Sequence, residues 1–258
     1  MELTSILLFA AIVFIGSYVQ AVAGFAMGMI IVAVAGGLRL MDVPTLTAVV
    51  SLMTMLNVYI ALRGQTHEIN RHLFTWLALG QVPAIFFGFQ VMQWLDGNTR
   101  WLLELALGLF ILIGGLSMFL RPHPWPRVTS RLGTWGVGLT GGLVGGMFSA
   151  SGPVLGWFGY NQPLPLAAIR ATLLACFALT TGTRTIVVGI TGGLTETVFT
   201  YALAGLPIVV VGTWLGRHLP PPVTEQSIKR FAYWLLIFMG VWILVSLCPD
   251  CVGFGAKT

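Results

Sequence analysis

The chain has 258 residues, of which 57% are hydrophobic and only 8% charged, with a mean hydropathy of +0.90 and a formal net charge of +5. A soluble domain carries about 25% charged residues, so a water-facing globule is excluded and an all-α polytopic protein of the cell (inner) membrane is expected. The positive balance is no nucleic-acid signal, because the 13 Lys and Arg sit almost entirely in short stretches between apolar segments, where they set orientation.

The first apolar stretch, 3–38, runs 36 residues without a charge. As one helix it would be about 54 Å long, against a hydrocarbon core of about 30 Å. The glycines of "AGFAMG" at 23–28 interrupt it. It is therefore either one long broken span or a re-entrant hairpin of two half-helices. "AVA" at 21–23 imitates a cleavage site, but no basic stretch precedes it and the apolar run continues, so the segment reads as retained. Spans of ordinary length follow at 43–62, 72–94 and 101–120, then a linker, "RPHPWPRVTSR", at 121–131. The second overlong stretch, 132–169, has 38 residues without a charge and its own breaker, "GGMFSASGP" at 145–153. Two spans between Arg170 and Arg217, parted by "TGGLTE", and one at 229–248 precede a "CPDC" tail.

Charge chooses between the two readings of the overlong stretches. If both cross once, Lys and Arg divide six against seven, which is no bias. If both are re-entrant, nine share one side, against Arg39, Arg100, Arg184 and Lys257 on the other. The second division matches the positive-inside rule and puts six crossings in the membrane, with both termini outside the cytoplasm.

The two overlong stretches also suggest a duplication. Pro44 and Pro165 are 121 residues apart, as are Arg63 and Arg184; Pro83 and Pro207 are 124 apart, as are Gly88 and Gly212. The expected organisation is a first membrane repeat over 1–120, the linker 121–131, and a second repeat over 132–258. Each repeat is a glycine-broken re-entrant hairpin, or broken helix, plus three transmembrane helices. Three crossings per half invert the second half relative to the first. Inverted repeats with interrupted apolar segments are the architecture of secondary transporters, with the substrate near the midplane.

The hairpin tips are the candidate binding site. In "SASGPVLG", Pro153 suits the first position of a half-helix, where a missing N–H costs nothing. The amides around Ser151 and Gly152 would then face the tip with the positive end of the helix dipole behind them. Ser149 and Ser151 add hydroxyl donors. The first tip offers Gln20, Gly24, Phe25 and Gly28, with the phenyl ring as a wall for an organic tail. Arg63 and Arg184 are expected as symmetry mates, one toward each face, with Asn57 near the first and Thr180 on the helix face of the second. Small residues at the tips equally suit close helix packing, and either arginine could instead snorkel to an interface. No Asp, Glu or His lies in the middle of a span, so no proton relay is visible; no cofactor or metal is expected. The implied partners are a small anionic substrate and membrane lipid.

The glycine-rich segment followed by a small-residue and proline stretch, once in each half, resembles the TauE/SafE family of sulfite and organosulfonate exporters. The likeness is clearest in "GLTGGLVGGMFSASGPVLGWFGY" at 138–160, followed by Pro163, Ala167 and "TLLACF". The family's G-x-G-G-G run is replaced here by "GFAMG" and "SASGP". The resemblance implies export of a small sulfur-containing anion such as sulfite or sulfoacetate, by alternating access, and no enzymatic activity. Two alternatives stay open on the residues alone: a passive anion channel, and a membrane thiol–disulfide protein using Cys248 and Cys251.

Overall fold

The computed structural model describes residues 3–23, 25–119, 125–219 and 225–247. Its helices are α1 Leu3–Ala23, α2 Met27–Gly37, α3 Val43–Leu62, α4 Arg71–Asn98, α5 Arg100–Phe119, α6 Arg131–Phe148, α7 Gly152–Tyr160, α8 Leu166–Ile190, α9 Glu196–His218 and α10 Glu225–Ser246. A single 3₁₀ turn, Thr66–Glu68, precedes α4, and the described residues contain no strand.

Local chemistry sets the helix starts. Asp42 accepts from the Thr45 amide at 2.9 Å ahead of α3, and Asn70 from the Leu73 amide at 3.0 Å ahead of α4. Ser130 caps α6 and Thr195 caps α9 in the same way, each satisfying one of the orphan donors of a first turn. Among the described residues, five helices are long and apolar enough to cross a membrane: α3, α4, α5, α8 and α9. In α10, the sixth expected span, the apolar stretch that the structure describes is Tyr233–Ser246. The outer surface is apolar, with Phe86, Phe87, Ile113, Leu203, Trp214 and Phe238 all exposed. Such a surface is stable only in lipid.

Both overlong stretches break and fold back. Gly16 of α1 lies against Met27 and Ile31 of α2, and Gly141 and Gly145 of α6 lie against Leu155 and Ser151. The far end of α7 meets the chain that precedes α6: the Trp125 amide donates to the Asn161 carbonyl at 2.7 Å, and Gln162 bonds Thr129 at 2.9 Å. A non-glycine residue in the left-handed region stands at each break, Ala26 at φ 97° and Ser149 at φ 56°. Such residues persist only where their surroundings hold them.

The two halves interleave. A glycine face on α6, Gly138, Gly142 and Gly146, lies against the backbone of Leu77, Gln81 and Ile85 on α4, so the two helices run parallel. In the same manner Gly212 and Gly216 of α9 lie against Phe14, Ser17, Tyr18 and Ala21 of α1. The other pairings also come in matched sets: α3 on α9 and α8 on α4, α2 on α10 and α7 on α5. The remaining large contacts between the first and second parts of the chain are α3 on α8 and α5 on α10.

Candidate functional site

The two breaks meet. A Cβ at Gly28 would stand 2.6 Å from the Ser149 carbonyl oxygen, so only glycine admits the second tip so close. Gly152 faces the first tip with more room, its hypothetical Cβ 3.8 Å from the Ala26 nitrogen. Between the tips lies a small, tight cavity. The first tip supplies Gln20, Ala26, Gly28 and Met29; the second supplies Ser149 through Gly152; α3 adds Thr54, and α8 adds Phe177, Thr180 and Thr181. All are buried, so the cavity lies inside the bundle.

Its electrostatics are one-sided. The first intrahelical bond of α2 comes from the Ile30 amide and that of α7 from the Leu155 amide. The amides of Gly28, Met29, Gly152 and Val154 precede those bonds, with the positive ends of two helix dipoles behind them. Ser151 Oγ and Thr54 Oγ1 are buried in the lining without a hydrogen-bond partner. Orphaned buried hydroxyls are uncommon and call for an explanation; a ligand oxygen between the tips is one. No carboxylate lines the cavity.

Behind the lining sits Arg184, fully buried. Its Nε donates to the Gly146 carbonyl at 2.9 Å, and its two terminal nitrogens to Ser51 Oγ at 3.0 Å and Thr47 Oγ1 at 2.6 Å. The Phe89 ring is 5.8 Å from the guanidinium carbon. None of these partners is anionic, so the charge is solvated by neutral oxygens and a ring face. Ser51 Oγ is 2.7 Å from Ser149 Oγ, which connects the arginine to the cavity through two hydroxyls.

The other expected residues divide. Gln20, Gly28, Ser149, Ser151, Gly152 and Thr180 line the cavity together. Asn57 stands behind: its Oδ1 accepts from Gln20 Nε2 at 2.7 Å and its Nδ2 donates to Thr213 at 2.6 Å, while Gln20 Oε1 accepts from the Met27 amide. Asn57 thus holds the glutamine that caps α2. Phe25 is buried and packs on Tyr160 and Tyr233, outside the lining of the cavity. Pro153 opens α7, as its ring chemistry requires, and fills the space beside Gly114 of α5. Gly24, Cys248 and Cys251 lie outside the described residues.

Arg63 is not brought to Arg184. It is exposed at the C-terminal cap of α3, where its carbonyl accepts from Arg217 at 3.3 Å. The reason is helix length: α3 stops at Leu62, whereas α8 continues past Arg184 to Ile190. Ser51, Thr54 and Gln81 are buried polar residues that no expectation from the sequence included. Gln81 is fully buried and bonds Thr180 at 3.1 Å. Buried polar side chains two residues before a helix-interior proline, or one turn apart inside an apolar span, were the available signal.

A lipid-facing bundle folded round a buried, carboxylate-free cavity at two helix breaks defines a membrane transport protein. The described residues hold no group of three potential metal ligands. The chain belongs to the TauE/SafE family of exporters: the family described as "Sulfite exporter TauE/SafE" matches residues 8–243. It is 39% identical over 231 residues to the "Probable sulfite/organosulfonate exporter TauE" of Cupriavidus necator, covering 89% of this chain and 90% of that protein. No solved structure matches it. Members of the family are membrane exporters rather than enzymes.

Proposed function

We propose that the protein exports a small sulfur-containing anion, sulfite or a short organosulfonate, which binds between the two helix tips. The carrying observation is the convergence of two helix N-termini on a cavity with unpartnered Ser151 and Thr54 hydroxyls and no carboxylate. Oxyanion oxygens accept hydrogen bonds, and helix N-termini are ready-made sites for them. Arg184 supplies the fixed positive charge. Met29, Ala150 and Phe177 give an apolar side to the cavity that suits a short organic tail. The sulfur anions named for the family and for the Cupriavidus relative support this choice of substrate.

The matched pairings of the halves support inverted repeats and hence alternating access, with the buried cavity as the intermediate between two open states. Gly28 and Ser149 form the contact round which the tips would separate. The test is thermal stability of the purified protein with sulfite, sulfoacetate, sulfate and chloride. A ligand at about 100 times its Kd stabilises by roughly 2.7 kcal/mol. Sulfite or sulfoacetate should raise the melting temperature and chloride should not; equal shifts from all four would sink the assignment. Saturable flux with counterflow in proteoliposomes separates a carrier from a channel.

A further inference from the structure

Ser51 Oγ has three close neighbours and a single hydrogen. Arg184 is 3.0 Å away, the Thr47 carbonyl 2.8 Å and Ser149 Oγ 2.7 Å. A guanidinium only donates and a carbonyl only accepts, so Ser51 always accepts from Arg184. Its hydrogen goes either to the Thr47 carbonyl or to Ser149. In the first arrangement Ser149 turns its own hydrogen back to Ser51 and offers the cavity only lone pairs, which repel an anion. In the second, Ser51 donates to Ser149, and the Ser149 hydrogen is released toward the cavity.

We propose that Ser51 is a hydroxyl switch between Arg184 and the site, set by the ligand: an anion in the cavity draws its hydrogen from the Thr47 carbonyl to Ser149, so that Ser149 becomes a donor. The inference rests on the reading that the cavity takes an anion. The switch is inexpensive, because the Thr47 carbonyl, inside α3, keeps its helical partner when the side-chain bond is released. It is directional, because Arg184 polarises Ser51 and hydrogen bonds assisted by a charge are about twice as strong as neutral ones. The chain Arg184–Ser51–Ser149 thereby carries positive charge to an anion that the guanidinium does not touch. It also selects against a neutral solute, which gains little from the donor arrangement. Ser51 is a positioning residue here; it lies outside the lining.

A double-mutant cycle on sulfite and sulfoacetate binding, measured by calorimetry on the purified protein, tests this. Ser51→Ala should weaken binding about tenfold, and Ser149→Ala by a similar factor, since each breaks the same relay. The double variant should be no more than about twofold weaker than Ser149→Ala alone. Ser51→Thr, which keeps the hydroxyl, should restore most of the affinity. Thr47→Val removes the parallel partner of the same guanidinium; it should lower the melting temperature but shift affinity less than Ser51→Ala does. If Ser51→Ala does not fold, Ser51→Cys serves, since a thiol is of similar size and a weak donor. Additive losses at Ser51 and Ser149, or equal losses at Thr47 and Ser51, overturn the switch while leaving the anion site standing. Failure of the wild-type protein to bind either anion overturns both.

Discussion

Arg184 stands fully buried in the interior of α8. It is the single charge between Arg170 and Glu196, and a charge inside an apolar span is expensive unless it has a task. The structure gives it a fully buried pocket of neutral oxygens. Arg63 stands at the equivalent spacing in the first part of the chain, but spacing does not fix where a helix stops, and Arg63 falls one residue beyond the end of α3. The two residues should therefore behave differently. Thr47 and Ser51 already donate to the Val43 and Thr47 carbonyls, so removing Arg184 strands few donors. Burying a charge without an anionic partner is costly, which offsets the hydrogen bonds lost when an apolar side chain of similar size replaces it. Arg184→Met is expected to keep its melting free energy within about 2 kcal/mol of wild type while export is lost. Arg63→Ala should leave both near wild type. An Arg184→Met protein that exports normally would remove the arginine from the transport machinery.

At the scale of elements, the breaks were legible because glycine and proline punctuate them: "AGFAMG" and "GGMFSASGP" fall where α1 gives way to α2 and α6 to α7. The lining residues on α3 and α8 were not legible, because which face of an all-apolar helix turns inward depends on neighbours distant in the chain. Gln81 is an instance: its burial follows from the glycine face of α6, which lets the two backbones touch. The same close approach distinguishes the two tip glycines. A methyl group at Gly28 meets the Ser149 carbonyl at 2.6 Å, whereas one at Gly152 meets nothing closer than 3.8 Å. Gly28→Ala must push the tips apart, with an overpacking cost of about 1–3 kcal/mol and loss of export. Gly152→Ala should stay close to wild type in stability, while Gly152→Leu, long enough to fill the cavity, should block export in a protein that still reaches the membrane. Melting curves and vesicle uptake of the three variants decide this; equal destabilisation by both alanines would mean that the tips do not meet as described.

Over the whole molecule, composition alone excluded a soluble fold, and the charge count proposed six crossings with both termini outside the cytoplasm. The count worked from loops, without knowledge of which helices touch. Packing gives an independent argument for the same sidedness. Arg39 and Arg100 both reach Glu104, at 3.0 and 3.7 Å, at one end of the bundle. Arg217 donates to the carbonyls of Ile60 and Arg63 at the other end. The first pair belongs to the sparse set of charges and the second to the rich set, so spatial neighbours carry the same assignment. Positive charge held on the cytoplasmic side orients such a chain, and on the topology proposed from the charges Arg39 is expected to face out and Arg63 in. In a background with Cys176, Cys248 and Cys251 replaced by serine, Arg39→Cys should react with an impermeant maleimide in intact cells, and Arg63→Cys only after permeabilisation. Both positions are exposed, so a lack of reaction reflects sidedness and not burial. Reaction of both from the outside would mean that α3 does not cross the membrane, and reaction of Arg63→Cys alone would reverse the sidedness; either outcome undoes the topology.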